Sequence, residues 1–151
     1  EAIRYFKLAA DNGHIKSISV YADMLSKGKV VDMDKKEAAR YYKLAADRGD
    51  FYSMSQYGWM LFKGIGVARD KKEASRYFKI AADGGHRKSM RNYTVMLEYG
   101  YGVLQDKKEA AKYYKMAADK GHLSSMCNYA IMLSNGEGVT IWQQIDVMSD
   151  L

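Results

Sequence analysis

Residues 34–49 read DKKEAARYYKLAADRG, and closely similar stretches occupy residues 70–85 (DKKEASRYFKIAADGG) and 106–121 (DKKEAAKYYKMAADKG). Each copy starts 36 residues after the one before it, and a shortened copy, EAIRYFKLAADNGH, occupies residues 1–14. A fixed spacing of this size is the sequence signature of an architecture in which similar units stack on one another. The repeat therefore decides the fold.

The repeated stretch has the pattern of a capped amphipathic helix. Asp34 and Glu37 show the D-x-x-E spacing of a helix start. One helical face carries residues at i, i+3, i+4, i+7 and i+8, namely Ala38, Tyr41, Tyr42, Ala45 and Ala46. Gly49 then supplies the left-handed residue that commonly ends a helix.

A second recurring stretch precedes each of these helices. It reads HIKSISVYADMLSKGKVV at 14–31 and DFYSMSQYGWMLFKGIGV at 50–67, and it predicts another helix with one apolar stripe. Two glycines, such as Gly64 and Gly66, follow this helix and predict a turn with positive φ angles. The first copy has Val30 in place of the second glycine, so we expect a different loop there.

One helix pair cannot bury its apolar face alone, so the pairs must stack. The sequence predicts an all-α fold, an α-solenoid of antiparallel helix pairs with a 36-residue period. We call the helix within 14–31 and its counterparts the first helices, and the helix within 34–49 and its counterparts the second helices. The array is predicted over 1–139, as a partial repeat (1–13), repeats at about 14–49, 50–85 and 86–121, and a partial repeat (122–139).

Both ends depart from the repeat. The chain opens inside a second helix, so we expect a fragment of a longer array. Residues 140–151 abandon the pattern. Ile141, Ile145 and Met148 would suit a divergent capping helix, and a tail foreign to the array is the alternative.

Composition narrows the class of protein. Proline is absent, which suits long helices, and the formal net charge of +6 permits anionic partners without requiring them. No apolar run approaches the roughly 20 residues that a membrane span needs. The single cysteine, Cys127, rules out an intrachain disulfide framework and favours a reducing, cytoplasmic setting over a secretory one.

The glycine loop and the second helix of each repeat resemble the Sel-one-like repeats, which are relatives of the tetratricopeptide solenoids. The family pattern ends in G-x-G-V-x-x-D-x-x-K-A-x-x-W-Y-x-K-A-A-x-x-G, and the second of the full repeats carries its main residues. These are Gly64, Gly66, Val67, Asp70, Ala74, Tyr77, Phe78, Lys79, Ala81, Ala82 and Gly85. The same positions match again 36 residues later.

The resemblance covers about residues 1–139 and implies a right-handed superhelix whose inner, concave surface binds other proteins. It implies a non-enzymatic adaptor, with another protein or peptide as partner and no small-molecule substrate. A cysteine-rich branch of the family carries a disulfide in every repeat, and one cysteine in the whole chain excludes that scaffold here.

The changing positions of the first helices are the candidate binding surface. Relative to the stripe of Ile18, Tyr21 and Leu25, positions 16, 19, 20, 23, 26 and 27 should face away from the core. One row among them runs through Asp23, Trp59, Val95 and Ile131. The predicted partner-binding residues are Tyr52, Gln56, Trp59, Phe62, Asn92, Val95, Tyr99, Asn128 and Ile131. Trp59 is central because tryptophan dominates interface hot spots, and the alternative is that Trp59 and Phe62 pack against an adjacent helix.

The second helices carry a recurring set of cations that we call the cationic ridge. Its predicted members are Lys36, Arg40, Lys43, Lys72, Arg76, Lys79, Lys108, Lys112 and Lys115. The simpler interpretation is a solvated face with Glu37 and Asp47 as local ion-pair partners. The alternative function is an anion-binding surface for an acidic protein, phospholipid or RNA, with nucleic acid the less favoured partner.

No motif in the sequence predicts a catalytic, cofactor or metal site. His14, His86 and His122 share one repeat position, and stacked helices lie about 8–10 Å apart, too far for a shared zinc site with ligands about 2.1 Å from the metal. We expect these histidines to cap the next helix, as Asp50 does in the remaining copy. The sequence has no nucleophile elbow, zinc-protease helix or phosphate-binding loop, so we predict no cofactor, no metal and no catalytic residue.

Overall fold

The computed structural model describes residues 1–28 and 32–137, and within those ranges all regular structure is α-helical. The helices there are α1 (Ala2–Asp11), α2 (Ile15–Lys27), α3 (Lys35–Ala46), α4 (Phe51–Lys63), α5 (Lys71–Asp83), α6 (Arg87–Tyr99), α7 (Lys107–Asp119) and α8 (Leu123–Asn135). The even-numbered helices are the first helices and the odd-numbered ones the second helices. The predicted all-α solenoid is confirmed, while the handedness of the superhelix stays a prediction.

Two predictions fall outside the described residues. The altered loop at Val30 belongs to residues 29–31, and the capping helix or tail belongs to 140–151. Along the described part of the chain, none of the helices is long and apolar enough to cross a membrane.

The helices begin where the sequence predicts. The Asp34 and Asp70 carboxylates each accept a hydrogen bond of 2.9 Å from the backbone N–H three residues on, and Asp106 does the same. Asp50 caps α4 by accepting from the Ser53 N–H at 2.9 Å. His14 and His86 cap α2 and α6 through Nδ1, as predicted. The same prediction for His122 was wrong, because its side chain makes no capping bond to the backbone of α8 and its Nδ1 lies 2.6 Å from the Ser125 hydroxyl oxygen instead.

Alanine and tyrosine build the interior between the helices. The pairs Ala45–Ala46 and Ala81–Ala82 are fully buried, which lets neighbouring helices approach closely. Tyr57 of α4 meets Tyr77 of α5 edge to face, with ring centroids 5.1 Å apart. The same ring pair recurs in the neighbouring repeats, so α2, α4 and α6 are each fixed to their own second helix by the same contact.

The glycine loops connect one repeat to the one before it. Gly64 and Gly66 have φ angles of +74° and +70°, as predicted. A Cβ on Gly66 would lie 2.2 Å from the backbone oxygen of Lys35, at the start of α3. The second glycine is therefore required for close approach between backbones as well as for its φ angle.

One part of the helical-wheel prediction was wrong. Positions 19 and 55 were expected to face solvent, yet Ser19 and Ser55 are buried. A first helix inside the stack contacts its own second helix and also the second helix of the preceding repeat, as α4 contacts both α5 and α3. Its buried arc is therefore wider than one apolar stripe.

Candidate functional site

Trp59 lies on the outer side of α4, and 41% of its surface is exposed. Its ring stacks on Phe62 with centroids 5.9 Å apart and an interplanar angle of 15°. Phe62 is half-buried, packs against the core and meets Tyr101 edge-on at 6.0 Å. Trp59 is therefore partly open to solvent, whereas Phe62 packs inward.

A cavity of about 600 Å³ opens beside Trp59, and we call it the Trp59 cavity. Four of the predicted binding residues line it, namely Trp59, Phe62, Asn92 and Val95. The structure adds five lining residues that the sequence reasoning did not select: Phe78, Lys88, Arg91, Met96 and Tyr101. A cavity of this size falls within the range of ligand-binding pockets.

A signal for some of these missed residues was present in the sequence. Lys88 and Arg91 occupy the outward positions of α6 that correspond to 16 and 19, so the helix pattern could have found them. Tyr101 lies between Gly100 and Gly102 and reaches the cavity only because its loop folds back. Phe78 belongs to the core of α5, and no outward-facing pattern would indicate it.

Tyr52 and Gln56 of α4 form a separate polar group with Asp23 of α2. The Tyr52 hydroxyl donates to Asp23 at 2.8 Å, and the Gln56 amide donates to the Tyr52 oxygen at 2.9 Å. Burial raises the pKa of Asp23, but hydrogen bonds from Tyr42, Lys27 and Tyr52 outweigh it and hold that pKa below its ordinary value. Asp23 thus links helices, although its row was predicted to face a partner.

The remaining predicted residues lie toward the other end. Tyr99 is exposed and stacks on Tyr101 with centroids 5.8 Å apart, so it extends the aromatic surface at one side of the Trp59 cavity. Asn128 and Ile131 are exposed on α8 and do not line this cavity. The structure therefore brings the predicted residues in the middle of the surface together at the Trp59 cavity. Those at its two ends, Tyr52 and Gln56 on one side and Asn128 and Ile131 on the other, do not line this cavity.

Most of the cationic ridge is paired within its own helices. Arg40 and Arg76 each bind a glutamate three residues before them, at 2.6 Å, and Lys112 binds Glu109 at 2.9 Å. Lys43, Lys79 and Lys115 each bind an aspartate four residues later. The Asp83 carboxylate accordingly raises the pKa of Lys79 above its ordinary value. Of the nine ridge residues, Lys36, Lys72 and Lys108 are the ones with no ion pair to any described residue.

In the ranges 1–28 and 32–137, no group of three or more His, Cys, Asp or Glu side chains is placed to hold a metal ion. Cys127 is an exposed free thiol on α8.

A comparison with models of known protein families shows which family this chain belongs to. The model of the Sel1 repeat matches residues 1–14, 17–50, 51–86, 88–122 and 123–141. The chain belongs to the Sel1 repeat family. The resemblance noted from the glycine loops and paired alanines is thereby confirmed.

Solved structures of Sel1 repeat proteins superpose well on this one. A protective antigen (c5321) of uropathogenic Escherichia coli strains, which displays an SLR fold, is 29% identical with a TM-score of 0.89 over 92% of this chain. A Sel1 repeat protein from Oxalobacter formigenes is 25% identical with a TM-score of 0.86 over 92% of this chain. The chain spans 30% of the first protein and 57% of the second.

Cysteine rich protein B of Helicobacter pylori shares the fold at 19% identity, with a TM-score of 0.65 over 83% of this chain and 96% of its own. The comparison with curated proteins found no significant match. Sel1 repeat proteins are generally protein-interaction scaffolds and are typically non-catalytic.

Proposed function

We propose that this chain is a non-enzymatic protein-interaction scaffold that binds a partner on the concave face lined by its first helices, at the Trp59 cavity. One observation carries the proposal: Trp59 stays exposed beside a cavity that is lined mainly by aromatic and apolar side chains. Exposed apolar patches bordered by polar groups mark interaction sites in soluble proteins.

The position of the cavity supports this choice over the rest of the surface. The repeated residues are occupied with caps, ion pairs and buried contacts, so little of their chemistry is left for a partner. Trp59, Val95 and Tyr101 occupy positions that differ from repeat to repeat.

The second candidate, anion binding by the cationic ridge, has less support. Six of its nine side chains already form local ion pairs, and exposed pairs of this kind contribute little to stability or to long-range attraction. A polyanion would have to compete with carboxylates attached to the same helix.

The first experiment compares Trp59→Ala with the ridge variant Lys36→Glu/Lys108→Glu in affinity capture from the source cells. Because hot-spot tryptophans typically contribute more than 2 kcal/mol, we expect Trp59→Ala to reduce capture at least about tenfold. The ridge variant should capture the same proteins as the wild type. Loss of capture in the ridge variant alone would favour the anion-binding alternative.

The matching stability control uses Phe78→Ala. Phe78 is 1% exposed, and emptying such a site costs about 3–5 kcal/mol. Trp59 is 41% exposed, so Trp59→Ala should cost less than about 2 kcal/mol in urea unfolding. A cost for Trp59→Ala as large as that for Phe78→Ala would show that Trp59 is structural, and the proposed site would then be wrong.

A further inference from the structure

The Trp59 cavity is surrounded by positive charge that nothing in the described chain neutralises. Lys88 and Arg91 line it and form no ion pair with any described residue. Lys63 lies 4.9 Å from the centroid of the Trp59 ring, and Lys71 lies 4.7 Å from that of Tyr101. None of the lining residues is Asp or Glu.

This distribution differs from the rest of the surface. On the second helices most cations are matched to a carboxylate one turn away, as Arg76 is to Glu73. Around the cavity four cations converge with aromatic rings and no carboxylate partner. A ligand that brings carboxylates would therefore meet uncompensated positive charge at this cavity.

The wall of the cavity also contains an unused hydrogen-bond donor. The side-chain nitrogen of Asn92 is buried and has no partner among the described residues. Asn92 also lines the cavity, and the terminal torsion of an asparagine side chain is soft, so this donor can adjust to a bound ligand. A bound acceptor oxygen would then satisfy it, which favours a ligand rich in carbonyl or carboxylate groups.

We infer that the occupant is an acidic peptide segment, in which one large apolar side chain fills the cavity and a neighbouring Asp or Glu contacts Lys88 and Arg91. This inference rests on the proposed function and specifies its partner. The cavity volume of about 600 Å³ accommodates one such side chain with adjoining backbone. Charge complementarity selects the acidic neighbours.

A single-stranded nucleic acid also combines negative charge with flat rings, but the contacts here favour the peptide. Bases bind by stacking on free aromatic faces. Lys63 lies over the Trp59 ring, Lys71 lies over Phe62 and Tyr101, and Trp59 and Phe62 stack on each other. A base would have to displace these groups in order to stack, whereas an apolar side chain can fill the cavity without stacking on a ring face.

The test begins with selection from a library of random displayed nonapeptides on the immobilised chain. We expect selected peptides to carry Trp, Phe, Leu or Met with Asp or Glu within two positions, at least threefold above the unselected library. Selected peptides that depend on Trp59 but show no acidic preference would overturn this inference and leave the proposed function standing. If no selected peptide depends on Trp59, both are wrong.

The second step measures affinity by fluorescence anisotropy with one selected peptide and its amide counterpart, in which Asn and Gln replace Asp and Glu. The wild type should bind the acidic form at least tenfold more tightly, and added salt should reduce the difference. Lys88→Glu/Arg91→Glu should abolish the preference, while Lys36→Glu/Lys108→Glu, which changes net charge equally, should retain it. Equal affinity of the two forms for the wild type, or tighter Trp59-dependent binding of an oligouridylate, would overturn the inference.

Discussion

Gly66 shows why one residue of each loop has no substitute. Its φ of +70° excludes most side chains, and its Cα faces the backbone of Lys35 so closely that a Cβ would come within 2.2 Å of the oxygen and 2.5 Å of the carbon. Backbone at a helix start cannot move aside as the end of a flexible side chain can. Gly102 meets Lys71 in the same way, so the same contact joins successive repeats.

The residue-scale prediction compares Gly66→Ala with Gly49→Ala. Gly49 has a φ of +94°, but a methyl group added there would have no neighbouring atom within 4 Å, so alanine suffers only backbone strain, about 1–2 kcal/mol. Gly66→Ala adds the clash with Lys35 and should cost at least about 2 kcal/mol more. Urea unfolding at one pH measures both. Equal losses would mean that the φ angle alone explains the second glycine.

At the scale of the element, α2, α4 and α6 each have one side chain that caps the N-terminus of the helix. Asp50 caps α4, whereas His14 and His86 cap α2 and α6 through Nδ1. An imidazole accepts the Ser89 N–H only while it is neutral, so the cap on α6 responds to pH. Burial, and next the nearby Lys88, lower the pKa of His86 below its ordinary value, which keeps the acceptor available.

The element-scale prediction is a pH-dependent cap. Because the folded-state pKa of His86 is lowered, its contribution is complete above the unfolded value of about 6.5 and is lost as the pH falls through the folded value. His86→Asn keeps an uncharged cap, so it should lie within about 1 kcal/mol of the wild type at pH 8. Between pH 7 and 5 the wild type should lose more stability in urea unfolding than the variant. Parallel curves would contradict the capping mechanism.

At the scale of the whole molecule, the second helices are joined by hydrogen bonds from tyrosine to aspartate. The Tyr41 hydroxyl donates to Asp11 at 2.8 Å and that of Tyr77 donates to Asp47 at 2.6 Å, while Tyr113 donates to Asp83. Each bond spans 30 residues, from one repeat to the next. Burial, and then the bond to Asp11, raise the pKa of Tyr41 to about 12.

The whole-molecule prediction compares Tyr77→Phe with Tyr57→Phe. Both rings are buried, but the Tyr57 hydroxyl makes no hydrogen bond to any described residue. Tyr77→Phe should cost about 1 kcal/mol, because Asp47 is partly exposed and keeps its ion pair with Lys43. Tyr57→Phe should change the unfolding free energy by less than about 0.5 kcal/mol.

The stability of Tyr77→Phe at alkaline pH gives a second test of the Tyr77 hydroxyl. Burial, and then the bond to Asp47, raise the pKa of Tyr77, so its stabilisation is complete below the unfolded value of about 10 and is lost as the pH rises beyond it. Above pH 10 the wild type should therefore lose stability faster than Tyr77→Phe. A variant that follows the wild-type curve throughout would show that the folded chain does not hold Tyr77 un-ionised.

The sequence by itself determined the helices, their caps, the turns and the family, because each depends on residues a few positions apart. Asp34 and Glu37 mark the start of α3, and Gly64 marks the end of α4, whatever lies around them. It also placed Trp59 on an outward face, because Trp59 lies directly opposite the apolar stripe of its own helix.

Only the tertiary structure decided which outward residues meet. The cavity needs Trp59 from α4, Arg91 from α6 and Tyr101 from a loop, and these come together through stacking of separate repeats. Stacking also buried Ser55, because α4 lies between two second helices, and it joined Tyr77 to Asp47 across 30 residues. Local periodicity describes one helix and one face, whereas a binding surface depends on how neighbouring helices are spaced and turned.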